Sequence, residues 1–172
     1  MAPVAVVRTY LEMDSPGRLT GRAPIPPGYV VRREPCEPGL YRELYEGVGA
    51  DYHWRDRRTW TDEQLRSHLV KPSIAVWVLR EGSAPRGFFE LARHDDGSVE
   101  IAYFGLKPSG IGKGLGRALL TSAIDEAWSL KPVPSRVWLH TCTLDHPAAM
   151  ANYLARGFQV TRTERYTVDL RP

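Results

Sequence analysis

The sequence predicts an α+β fold, a mixed and mostly antiparallel central sheet flanked by helices. Three observations carry this. Strand-like runs separated by turns follow one another between residues 73 and 106, strands and helices alternate after that, and four glycines at alternate positions stand where the order changes.

The first 27 residues stand apart. Val4 to Met13 is strand-like, Asp14-Ser15-Pro16-Gly17 signals a turn, and Ala23-Pro24-Ile25-Pro26-Pro27 breaks any regular element. Residues 1–27 are therefore expected to form an N-terminal arm, an added strand being one option, and residues 28–172 the domain. Gly28 to Arg33 alternates weakly between Pro27 and Pro35, as a first domain strand does. Leu40, Leu44 and Val48 recur at helical spacing from Gly39 to Val48, and a second helix starts at Thr61, with Asp62, Glu63 and Gln64 in its first turn. Ser73 to Leu79, Gly87 to Arg93 and a third strand from Val99 are joined by turns at Glu81 to Pro85 and His94 to Gly97, which makes an antiparallel meander. A helix from Leu115 to Leu130 is stopped by Pro132 and Pro134, and a strand spans Arg136 to Thr141. Pro147 to Arg156 is the last helix, with Pro147 in its first turn and Gly157 at its C-cap, before final strands at Phe158 to Thr163 and Tyr166 to Leu170.

Composition narrows the function classes. A chain of 172 residues suits one domain, burying about 70% of its unfolded surface. No apolar run approaches the roughly 20 residues a membrane span needs, and the first eight residues are too short in apolar side chains for a signal peptide, so a soluble, cytoplasmic protein is expected. Cys36 and Cys142 lie far apart without zinc-type spacing; reduced thiols and no bound metal are expected. The 23 basic and 20 acidic residues leave little surplus for a phosphate-tracking stripe, and runs such as Arg55-Asp56-Arg57-Arg58 are interrupted by acids. Neither nucleic acid nor membrane is an expected partner.

The glycines carry the chemistry. In Gly110-Ile111-Gly112-Lys113-Gly114-Leu115-Gly116, backbone N–H groups can turn toward one point, and the helix that follows adds the positive end of its dipole. An anion belongs there. Lys113 is followed by Gly114 rather than Ser or Thr, which excludes a nucleoside-triphosphate P-loop, and no third glycine completes a dinucleotide fingerprint.

This strand-to-helix turn resembles the G-x-G-x-G-[R]-x-L-L loop of the GCN5-related N-acetyltransferases. So does the segment from Asp145 to Phe158, with Ala149 and Tyr153 four residues apart and a closing Gly157-Phe158, and the strand Ile101 to Pro108 that leads into the loop. The resemblance covers roughly Gly28 to Thr163. It implies acetyl transfer from acetyl-CoA to a primary amine by direct attack, on a small molecule or a peptide. Coenzyme contacts are implied at Phe104, Gly105 and Leu106 on the strand, at Ile111, Gly112, Lys113, Gly114, Leu115, Gly116 and Arg117 in the loop, and at His146. Ile111 stands where the family has Arg or Gln, and His146 where it often has Asn. That departure leaves a rival reading open, a non-catalytic acyl-CoA-binding regulatory module.

The resemblance also assigns roles. Glu100, eleven residues before Ile111, takes the place of a catalytic glutamate, with Glu90, His140, Asp145 and His146 as competing bases. Tyr153 takes the place of the tyrosine that hydrogen-bonds the coenzyme sulfur. Tyr52, Trp54, Asp56 and Trp60 fall where the family lines its acceptor pocket; they suit an amine through charge and cation–π contact, or else pack the loop onto the core. The oligomeric state is open, a homodimer included.

Overall fold

The computed structural model describes residues 2–170. Its strands are β1 (Val4–Met13), β2 (Tyr29–Arg33), β3 (Ile74–Glu81), β4 (Ala84–Arg93), β5 (Val99–Leu106), β6 (Val137–Cys142) and β7 (Gln159–Val168). The helices are α1 (Pro38–Gly49), α2 (Asp62–Leu69), α3 (Leu115–Ser129) and α4 (Ala149–Ala155). The strands form one sheet in the order β2-β3-β4-β5-β6-β1-β7, antiparallel except for the β5–β6 pair. Among the described residues no helix is long and apolar enough to cross a membrane.

Strand alternation sorts the core into two layers. Trp77, Leu79, Phe89, Leu91, Val99, Ile101, Val137 and Leu139 point to the back, where Leu115, Leu119, Leu120, Ala123 and Ile124 of α3 cover them. Val76, Val78 and Phe88 point to the front and meet Tyr41, Leu44, Tyr45 and Val48 of α1 and Leu65 of α2. Gly105 on β5 lets α1 sit close, because a Cβ there would lie 2.4 Å from Val48 Cγ1. Thr61 caps α2 with a full capping box through Gln64.

The strand-like run Val4 to Met13 is a strand, the added-strand option for the N-terminal segment, and two other expectations need correction. β1 lies in the interior of the sheet, between β6 and β7, and pairs antiparallel with both, its Leu11 and Met13 fully buried. Residues 14–27 then cross the helices, where Thr20 Oγ1 donates to the Ala155 carbonyl, Arg22 forms two hydrogen bonds with Asp125, and the Ala23 amide donates to Thr121. The two final strands are one, β7, because Thr163 to Arg165 pair without interruption with Val7 to Thr9. Helix α4 starts at Ala149 rather than Pro147, since the His146 carbonyl and Nδ1 accept from the Ala149 and Ala148 amides and form a turn first.

Candidate active site

Strands β5 and β6 are paired only at Val99–Val137 and Glu100–Trp138, and beyond that they part. β5 continues to Leu106 held by β4, and β6 to Cys142 held by β1. Each therefore turns one edge of unpaired N–H and C=O groups into a wedge-shaped cleft, a place where an extended chain of amides finds partners. A bulge in β5, which leaves Ala102 without a partner on β4, bends the strand beside this cleft.

The glycine loop lies past the mouth of the wedge. Gly112 (φ 84°) and Gly114 (φ 73°) occupy the left-handed region, which side chains disfavour. Open space surrounds the place a Cβ would take on Gly112. Gly114 is the N-cap of α3, it offers no side-chain acceptor, and the first turn holds no acid. The first amides of α3 are thus left for an external anion. Lys113 and Arg117 are exposed beside the loop, while Leu115 is buried and anchors the helix. Ile111, 38% exposed, offers no donor. Asn152 Nδ2 donates to the Gly116 carbonyl and ties α4 to this turn.

Glu100 stands at the apex on the front face. Its Oε1 is 2.9 Å from His94 Nε2 and its Oε2 is 3.9 Å from His140 Nε2, on the opposite wall. The His140 side chain is 37% exposed; partial burial, and then the nearby charge of Arg8, lower its pKa below the usual imidazole value, against the opposing pull of Glu100, Asp145 and Asp56. Phe104 and Leu106 line the back of β5 against the core. Tyr153, 8% exposed, packs edge-on against Phe104 and Phe158, and burial, then Asp145, raises its pKa, so the phenol stays neutral.

The predicted acceptor residues separate into two groups. Tyr52 meets the His146 ring edge-on at 5.9 Å, and the exposed Asp56 accepts a hydrogen bond from Tyr103 Oη on β5 at 3.3 Å. Trp54 and Trp60 are packing residues instead. Trp54 lies against Tyr45, Phe88 and Tyr103, and Trp60 against His68 and the Arg57 guanidinium.

Of the competing bases, Glu90 is closed off. It is 0% exposed and bound by Tyr41 Oη (2.7 Å), Arg57 Nη1 (2.6 Å) and His68 Nε2 (3.0 Å). Burial alone would raise its pKa, but the bonds from His68, Arg57 and Tyr41 outweigh it and hold the carboxyl below its usual range. Asp145 accepts from Thr141 Oγ1 and the Cys142 amide, which fixes the turn after β6. The sequence does not single out Arg57, which locks the loop from Tyr52 to Trp60 onto Glu90, nor His94, Tyr10 and Arg8. An acid inside the apolar run Phe88-Phe89-Glu90-Leu91 was the available signal for a buried, paired charge.

The chain matches the model of the acetyltransferase (GNAT) family over residues 40–158. Similar solved structures include a GCN5-related N-acetyltransferase from Kribbella flavida (TM-score 0.67, 18% identity, 96% of this chain and 59% of that one). Another from Sphaerobacter thermophilus gives 0.64 and 19%, over 96% and 52% of the two chains. A tandem GNAT protein of the clavulanic acid biosynthesis pathway gives 0.62 and 15%, over 97% and 54%. The chain thus spans little more than half the length of these structures. No curated protein matches its sequence.

Proposed function

Because the chain belongs to the acetyltransferase (GNAT) family, we propose that it moves an acetyl group from acetyl-CoA to a primary amine by direct attack. Family and fold support acyl transfer in general. The observation that carries the finer reading is a single cleft with the bare N-terminus of α3 beyond its mouth and Glu100 with His140 at its apex. Six residue steps, roughly 20 Å of extended chain, separate Glu100 from Leu106 at the mouth.

Acetyl-CoA supplies the activated thioester when bound, and the residues present fit it. The loop amides from Gly112 onward, the α3 dipole, Lys113 and Arg117 suit its phosphates, and the unpaired edge of Ile101 to Leu106 suits its amide-rich arm and offers an N–H to the thioester carbonyl. Glu100 accepts the proton of the acceptor ammonium, directly or through water, with a neutral His140 next to it. With the coenzyme bound, the hydrogen-bond donor for its sulfur would be the Tyr153 hydroxyl. Its raised pKa makes full transfer to a thiolate, whose conjugate acid has a pKa of about 8.5, an uphill step, so it acts as a stationary donor. Asp56 and Tyr52 flank the amine's approach.

A thiol-release assay over a broad amine panel, with calorimetry of acetyl-CoA, tests this. Amine-dependent CoA release is expected; tight acetyl-CoA binding with no release by any amine would favour the regulatory module. Gly114→Asp should abolish coenzyme binding, because it combines a strained left-handed aspartate with a negative charge at the cradle. A folded variant with unchanged affinity would place the coenzyme elsewhere.

A further inference from the structure

β1 brings to the apex side chains that its sequence position does not announce. Its register sets Tyr10 opposite His140 and Arg8 opposite Cys142, and the Tyr10 and His140 rings lie 5.5 Å apart. Alternation then puts Arg8 on the same front face, one step further toward the mouth. The Arg8 side chain is 34% exposed and lies among Tyr10, Tyr166 and Glu164, with hydrogen bonds to the two tyrosines that favour its charged form. Nη2 is 3.5 Å from Tyr166 Oη, Nη1 is 3.9 Å from Glu164, and the guanidinium lies 5.0 Å from the Tyr166 ring centre. Glu164 is itself ion-paired more closely with Arg162. Arg8 Nε is buried with no hydrogen-bond partner. A guanidinium so placed has bonding capacity left for a planar anion.

We propose that the acceptor is an amine carrying its own carboxylate, an α- or β-amino acid, with the ammonium at Glu100 and His140 and the carboxylate on Arg8. The inference rests on the acetyl-transfer reading above. One strand spacing across and two residues along separate the Cα atoms of His140 and Arg8, a diagonal of roughly 8 Å, and the Arg8 charge acts on the His140 imidazole. A compact amino acid, with a hydrogen bond of about 2.9 Å at each end, is of the same scale as that spacing. Glu100 and Asp56 supply the negative side of the approach and Arg8 the positive side, so a zwitterion meets both charges in the right order. An amine lacking the acid leaves Arg8 unmatched.

The test compares amino acids with their amides and with the matching decarboxylated amines in the CoA-release assay, for the wild type, Arg8→Gln and Arg8→Lys. The acids are expected to lead in kcat/KM by tenfold or more. Arg8→Gln should raise KM for the acids by about tenfold to a hundredfold, whereas its effect through His140, whose pKa Arg8 lowers, falls equally on kcat for acids and acid-free amines. Arg8→Lys should recover part of the loss. Equal losses for acids and acid-free amines, or a wild-type preference for the latter, overturn the proposal, and the wild-type comparison decides even if Arg8→Gln fails to fold. Amino acid binding to the protein loaded with CoA is measured in parallel by calorimetry. Arg8-dependent binding without turnover would retain this site and overturn the acetyl-transfer reading; turnover without carboxylate preference would do the reverse.

Discussion

Glu90 and Glu100 lie on neighbouring strands and face the same side of the sheet, yet their surroundings are opposite. Glu90 is 0% exposed, with both oxygens taken by Arg57, Tyr41 and His68; Glu100 is 15% exposed, and its nearest partners are imidazoles of which one forms the far wall of the cleft. Residue type therefore does not decide which acid can exchange a proton. The partners and the burial do: bonds from His68, Arg57 and Tyr41 keep the sealed Glu90 ionised and fully occupied, whereas Glu100 is partly exposed and one of its imidazole partners stands across the cleft. Glu90 acts on the loop from Tyr52 to Trp60 as well, because Arg57 clamps that loop to it and stacks on Tyr103, whose hydroxyl in turn holds Asp56.

The largest effect should follow from breaking the sealed side. Glu90→Ala leaves Arg57 buried without its counterion, a change of about 3–5 kcal/mol in unfolding free energy. Chemical denaturation gives the number, and a loss under about 1 kcal/mol would show that the network is not structural. Glu90→Gln sharpens the comparison through pH. The folded-state pKa of Glu90 is lowered, so its contribution is complete above the unfolded carboxylate value of about 4.3 and is lost as pH falls toward the folded value. Wild type should lose stability in acid more steeply than Glu90→Gln.

Glu100→Gln should do the converse, with little effect on folding and roughly a 100- to 10,000-fold loss in kcat/KM at neutral pH. The deficit should shrink as pH rises, because an amine already deprotonated by the medium no longer needs a base. Parallel wild-type and mutant profiles would falsify the assignment and pass the role to His140, whose lowered pKa keeps it neutral above about pH 6.5.

How much of this could be read from the sequence follows from how local each signal is. The glycine loop, the meander and the capping of α2 are set by residues within a few positions of one another, and their elements were legible. The place of β1 was not, since its partners Val137–Cys142 and Gln159–Val168 lie more than a hundred residues away and a strand's own pattern does not name its neighbours. Arg8 and Tyr10 were hidden for the same reason. Arg57 sat in a mixed-charge run that suggests a solvated surface, and burial of Trp54 and Trp60 depends on how the loop folds back over α1.

Tyr153 is a buried core residue to which the proposed function gives a chemical role. Tyr153→Phe keeps the ring packed against Phe104 and Phe158 and removes one hydroxyl. Turnover should fall by at least tenfold with acetyl-CoA affinity nearly unchanged, read as kcat beside a calorimetric Kd. A change below about threefold would make it a packing residue, like the ring contacts around Glu90.

The smallest expected effect lies at the far end of the cleft. Ile111 has extended backbone and is exposed beside the glycine loop, the proposed phosphate site, so Ile111→Arg should be accommodated without loss of packing. A guanidinium there adds a charge-assisted donor to a site otherwise built from amides, Lys113 and Arg117. Acetyl-CoA should bind about tenfold more tightly at low ionic strength, the gain shrinking as salt screens it. kcat should stay unchanged, because Glu100, His140 and Tyr153 are untouched. Calorimetry at two salt concentrations beside a kcat measurement decides the point: equal affinity in the folded variant means that the amides and helix dipole already hold the phosphates fully, and that the missing side chain costs this cleft nothing.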